Sequence, residues 1–164
     1  MPISFPYQLV KWMPESQLNV PGAVVTEVIR PWIDIELFNP LTKKHTGFLC
    51  SCLVDTGSDA TFFNEELGQY LGYDIGAGEY REITGVGGGS VKAYFHEVGI
   101  RVNNPVGKEK PIDIVDSMGF VPGGFPISNP QQTGILGSVG FFRYVNVYFS
   151  YPRLIQISIN SNLN

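Results

Sequence analysis

One carboxylate stands out by its setting. In Leu53-Val54-Asp55-Thr56-Gly57-Ser58, Asp55 follows the apolar run Phe48 to Val54 and precedes a second one, Ala60 to Phe63. The pattern reads as a buried strand that delivers an acid into a tight turn, because Asp can hydrogen-bond its own backbone and Gly tolerates positive φ. A carboxylate between such flanks is partly desolvated, which costs free energy unless it has a partner or a task. An ordinary Asp-x-Gly hairpin turn would carry the same tripeptide, so the flanks are what single it out. The chemistry open to it is general acid and base catalysis. With a second carboxylate across one water, one group takes the water's proton while the other, protonated, hydrogen-bonds a carbonyl.

Other chemistries find less in the chain. Gly85-Val86-Gly87-Gly88-Gly89 could cradle a phosphate, but no Gly-x-x-x-x-Gly-Lys occurs, and Ser90 stands where a dinucleotide-binding loop needs its last Gly. Val91 to Phe95 then reads as strand, with no capped helix. His45 and His96 show no metal-ligand spacing, and Cys50 and Cys52 are too few for a site, so no metal and no cofactor are expected. Two residues apart on a strand, those cysteines share one face and read as core thiols of a reducing compartment. The net charge of −4 comes without a Lys/Arg run, which argues against nucleic acid. No apolar run reaches a membrane-spanning length, and the start of the chain does not read as a signal peptide, so a cytoplasmic location is expected. Asp116-Ser117-Met118-Gly119 offers a second acidic turn, but Met118 spoils the Asp-Ser-Gly spacing, and we reject it.

Leu53-Val54-Asp55-Thr56-Gly57-Ser58-Asp59 resembles the active-site signature of retropepsin-like aspartic proteases. Two further segments match in order: Ile83-Thr84-Gly85-Val86-Gly87-Gly88-Gly89 resembles the family's glycine-rich flap, and Ile135-Leu136-Gly137 its apolar-apolar-Gly motif beside the active-site loop. The resemblance runs roughly from Pro31 to Ile159. It implies a retropepsin-like acid protease fold, an all-β, closed barrel-like half of a pepsin with a flap hairpin and one or two short helices. It implies that Asp55 is the catalytic acid and base, with Thr56 bracing the opposite subunit's loop and Gly57 allowing the turn. Ser58 completes the loop, and its hydroxyl is expected to donate to the Asp55 carboxylate. Gly85, Val86, Gly87, Gly88 and Gly89 form the flap over substrate, and Ile135, Leu136 and Gly137 are the structural buttress. Retroviral members commonly carry Arg after the last Gly of that buttress, paired with an acid at the position of Asp59. Ser138 stands there instead, so the pattern is closer to single-domain cellular or bacterial relatives.

The chain has one such Asp-Thr-Gly, so a pair of carboxylates calls for a twofold homodimer that sets Asp55 opposite its own copy. Two carboxylates that close share a proton, and the aspartic proteases are the standard example of that behaviour. The expected function is an aspartic endopeptidase that takes peptide or protein substrate as an extended strand. The alternative is a retropepsin-fold binding or dimerisation module with little or no proteolysis.

The elements that must position these residues are mostly strands. A chain of 164 residues predicts one domain, and 19 Gly and 12 Pro predict many turns. Residues 1–30 are expected to be an N-terminal extension packed on or preceding a domain of residues 31–164. Strands are expected over Val24–Phe38, with Pro31 as an edge, bulge or break, and over Phe48–Val54, Tyr80–Thr84 and Ser90–Val102. Further strands are expected over Ile112–Val115, Thr133–Leu136, Val145–Phe149 and Leu154–Ile159. Asn64–Leu71 predicts a short helix with Asn64 as N-cap and Gly72 as stop. Ser138–Tyr144 predicts another, and Asp116–Pro130 a loop bordering the groove.

Overall fold

The computed structural model describes residues 1–12, 20–84, 90–105, 107, 109–125 and 132–161. Among the described residues, twelve strands form three sheets. They are β1 (Ile3–Pro6), β2 (Gln8–Trp12), β3 (Thr26–Arg30), β4 (Trp32–Phe38), β5 (Cys50–Val54), β6 (Phe62–Asn64), β7 (Glu79–Thr84), β8 (Ser90–Val102), β9 (Ile112–Val121), β10 (Gly134–Leu136), β11 (Val145–Ser150) and β12 (Leu154–Ile159). The largest sheet runs β4-β5-β10-β6-β9-β8-β7, and β4 also pairs with β8. Six strands therefore close into a barrel, and closure removes their free edges. The seventh strand, β7, lies outside the ring as the hairpin partner of the long β8, the hairpin that leads to Gly85–Gly89. The tip itself, and with it the expected flap residues Gly85, Val86, Gly87, Gly88 and Gly89, lies outside the described residues.

Period-two alternation decides what fills the barrel. Ile33, Ile35 and Leu37 of β4, Cys50, Cys52 and Val54 of β5, and Val98, Ile100 and Val102 of β8 all point inward and are buried. The all-β expectation holds, as do the strands around Asp55. Pro31 separates β3 from β4, so the expected strand over Val24–Phe38 is broken in two. β3 instead pairs with β2 as a two-stranded ribbon.

The first residues are part of the core. β1 pairs antiparallel with β12, Ile3 opposite Ile157 and Phe5 opposite Ile155, in a sheet ordered β1-β12-β11. Ile3 and Phe5 belong to the same apolar cluster as Ile33 and Val54.

The predicted helix at Asn64 forms as α1 (Glu65–Tyr70), burying Leu67 against the barrel. Its end follows the sequence: Gly72 has φ +88°, the Tyr73 N–H donates to Gly68 O and the Gly72 N–H to Gln69 O, the paired bonds of a Schellman stop. Its start does not. The Asn64 side chain makes no capping bond; its Oδ1 accepts the Phe125 N–H at 3.0 Å instead. The second predicted helix, Ser138–Tyr144, is a run of turns. Gly140 takes φ +91°, and Val139 forms a β-bridge with Ala60, which no helix permits. Nor is Asp116–Val121 loop: β9 continues to Val121 because Asp116 to Phe120 find partners along β8. The rejected Asp116-Ser117-Met118-Gly119 motif thus lies within a strand, with Met118 fully buried.

Cys50 and Cys52 are free thiols buried in the barrel. Burial pushes Cys50 up to about 11 and Cys52 well above its ordinary value. A thiol that is both protonated and covered is a poor nucleophile. Both should therefore resist a thiol reagent at pH 7.5 and react together once denaturant unfolds the chain. Mass spectrometry of native protein labelled at either position within minutes would contradict the packing described.

Candidate active site

Asp55 sits one residue beyond β5, where that strand runs parallel to β10 with Leu53 opposite Ile135 and Val54 opposite Leu136. The Asp55 N–H continues this ladder by donating to Leu136 O at 3.0 Å, and the Val54 N–H donates to Pro31 O at 2.9 Å. Two neighbouring segments thus hold the backbone from both flanks as it enters the turn. The turn closes when the Gly57 N–H donates to Asp55 Oδ1 at 2.9 Å and the Ser58 N–H to Asp55 O at 3.2 Å. One carboxylate oxygen is thereby fixed by the loop's own backbone. Asp55 is half-buried, and Thr56 and Gly57 are exposed.

The turn uses Gly57 differently from what its pattern implies. This glycine does not adopt positive φ; instead, a Cβ there would lie 3.3 Å from Asp55 Oδ1. The absent side chain leaves room for the carboxylate.

Ser58 also departs from expectation. Its hydroxyl donates to Ala60 O at 2.7 Å, so it closes the loop and does not donate to the Asp55 carboxylate. Ser58→Ala should therefore leave the alkaline limb of a pH–rate profile where it is. It should lower stability by about 1 kcal/mol, the ordinary net value of one hydrogen bond. A limb that moves by half a pH unit or more would restore Ser58 as a partner of the carboxylate.

Behind the loop, Gly137 to Val139 run alongside Ser58 to Thr61. The Ser138 N–H donates to Ser58 O at 2.9 Å, the Val139 N–H to Asp59 O at 3.0 Å, and the Thr61 N–H to Val139 O at 2.9 Å. A Cβ on Gly137 would fall 2.3 Å from Ala60 O, so only glycine allows this approach. Ile135 is half-buried and Leu136 fully buried. The structure thus brings Ile135-Leu136-Gly137 against the Asp55 loop. Asp59 is exposed, and among the described residues no cation pairs with it.

Thr61 is a contributor that the sequence reading passed over. It is fully buried, its Oγ1 accepts the Gly137 N–H at 3.1 Å, and its carbonyl accepts the Gly119 N–H at 3.0 Å. One residue, through its hydroxyl on one side and its carbonyl on the other, thus ties the loop to both neighbouring segments. The available signal was a lone polar residue within the apolar run Ala60–Phe63.

The family model described as aspartyl protease matches residues 46–139, more than half of the chain. The chain belongs to the aspartyl protease family. The matched segment begins just before β5 and ends at Val139, so it spans the Asp55 loop, the β7–β8 hairpin and the Ile135-Leu136-Gly137 support. Among solved structures, a retropepsin-like aspartic protease from Rickettsia conorii is similar at 14% identity and a TM-score of 0.47, over 96% of this chain and 95% of that one. A comparison with curated proteins finds no match. The aspartyl protease family agrees with the resemblance carried by the Asp55 signature. Among the described residues no helix is long and apolar enough to cross a membrane.

Proposed function

We propose that this chain is an aspartic endopeptidase, active as a homodimer in which two Asp55 carboxylates share one proton and one water. The observation that carries this reading is a single Asp-Thr-Gly loop, pinned from behind by backbone hydrogen bonds and open in front at Thr56 and Gly57. Such a loop is half of a two-carboxylate site. Thr56 makes no hydrogen bond within the described chain, which leaves its hydroxyl for the partner's loop. Asp55 is the general base in one carboxylate and the acid in the other. The stem formed by β7 and β8 carries Gly85 to Gly89, which we assign as the flap over an extended peptide. Ile135, Leu136 and Gly137 keep the loop in register. The proposed mechanism needs one proton kept on the pair of carboxylates. Activity should therefore be highest below neutral pH.

The deciding experiment incubates the purified protein with a peptide library from pH 3 to 7, alongside an Asp55→Asn variant. A retropepsin-fold binding module would cleave nothing at any pH. Assembly makes a separate prediction, because each site needs two chains. Specific activity should fall on dilution and become second order in protein well below the dimer dissociation constant. Turnover per chain that stays constant down to a concentration at which ultracentrifugation shows only monomer would refute the half-site.

A further inference from the structure

Strand register places a line of residues on the outer face of the barrel beside Asp55. Leu53 is opposite Ile135, Ile135 opposite Phe62, Phe62 opposite Gly119, and Gly119 opposite Phe95. Directly paired residues share a face, and Asp55 lies two residues beyond Leu53 on that same side. At about 4.8 Å per strand, Phe62 stands roughly 10 Å across the sheet from Leu53. That is within reach of a peptide bound in extended form over Asp55.

Most of this line is not open. The Phe62 ring lies across Gly119, where a Cβ would come within 2.8 Å of its Cδ1. It meets the Phe95 ring edge-on, with centroids 5.8 Å apart and planes at 78°. Phe62 is only 7% exposed and forms, with Ala93, Phe95 and Val121, an apolar cluster separate from the barrel core. Ala60 from the active-site loop and Ile83 from the hairpin stem pack against it. The space between the loop and the stem is therefore taken up by the chain's own aromatic side chain, packed over a glycine.

We propose that Phe62 is a specificity-determining residue: its ring takes up that space and restricts the enzyme to peptides with a small side chain at the position that meets it. The inference rests on the protease reading above. A large substrate side chain would have to displace Phe62 from Gly119 and Phe95, whereas Gly, Ala or Ser can lie over the ring.

The test profiles cleavage of peptides randomised at the three positions on each side of the scissile bond, for wild type, Phe62→Val and Phe62→Leu. The wild type should reject Phe, Tyr and Trp at one of these positions. In Phe62→Val the ratio of kcat/KM for large over small side chains at that position should rise about 10- to 100-fold, the range that one or two methylenes command in an apolar pocket. Phe62→Leu should move it in the same direction by less. Wild-type enzyme that accepts aromatics at all six positions overturns the inference without any variant, as does an unchanged profile in a folded variant. Absence of any cleavage by the wild type overturns the protease reading, and this inference with it.

Discussion

Asp55→Asn is expected to lower peptide hydrolysis by at least about 10³-fold, within the range that acid–base catalysis contributes, while the fold persists. The asparagine oxygen can still accept the Gly57 N–H that now reaches Asp55 Oδ1, so the turn keeps its closure. The ladder bonds of Asp55 and Val54 use only backbone and are unaffected. What is lost is a group that can take up and return a proton. Mixing the variant with wild type sharpens the test. If dimers exchange freely and a hybrid dimer is inactive, activity follows the square of the wild-type fraction, whereas a monomeric site would follow it linearly. Steady-state kinetics across a mixing series, with circular dichroism as the control for folding, distinguishes the two. Cleavage by the pure variant at the wild-type rate would remove Asp55 from the mechanism.

The active-site loop was legible in the sequence because its constraints are local. Apolar flanks, an acid that bonds its own turn and a following glycine all act within about ten residues of Asp55. The barrel strands were legible for the same reason: alternation in Ile33-Asp34-Ile35-Glu36-Leu37 reports one buried face. What escaped was set by partners distant in sequence. Ser138-Val139-Gly140 looks like a helix start until Val139 pairs with Ala60, and Asp116–Val121 looks like loop until β8 supplies nine paired partners for β9. Residues 1–12 carry no clear period, yet β1 is fixed by β12 at the far end of the chain. The Ser58 hydroxyl is a choice between two nearby acceptors, Asp55 and Ala60, which spacing alone does not decide. Gly57 illustrates a subtler point: the turn pattern suggests positive φ, whereas its φ is not positive and a Cβ there would stand in tight contact, 3.3 Å, with the Asp55 carboxylate.

On the proposed mechanism, Gly137→Ala should abolish peptide hydrolysis without touching a reacting group. Its Cβ would stand 2.3 Å from Ala60 O and 2.7 Å from both Ala60 C and Ser58 O. All three are backbone atoms, so no rotamer change relieves the clash; either β10 or the loop from Ser58 to Ala60 has to move. The same movement strains the Ser138-to-Ser58 and Val139-to-Asp59 hydrogen bonds, which hold the loop carrying Asp55. Overpacking of this kind costs about 1–3 kcal/mol of stability. A displacement of 1 Å at a catalytic group can cost about 10²-fold in rate, and in a twofold site both loops shift. We therefore expect kcat to fall by about 10²-fold or more, with a smaller change in KM. Gly72→Ala provides the matched control. Gly72 has φ +88° and open space around its missing Cβ, so alanine there costs only the left-handed backbone term, about 1–2 kcal/mol. The two variants should lose comparable stability in urea melts, yet only Gly137→Ala should lose activity at temperatures where both are folded. Equal activities in the two would mean that the loop tolerates displacement and that the contact with Gly137 serves stability alone.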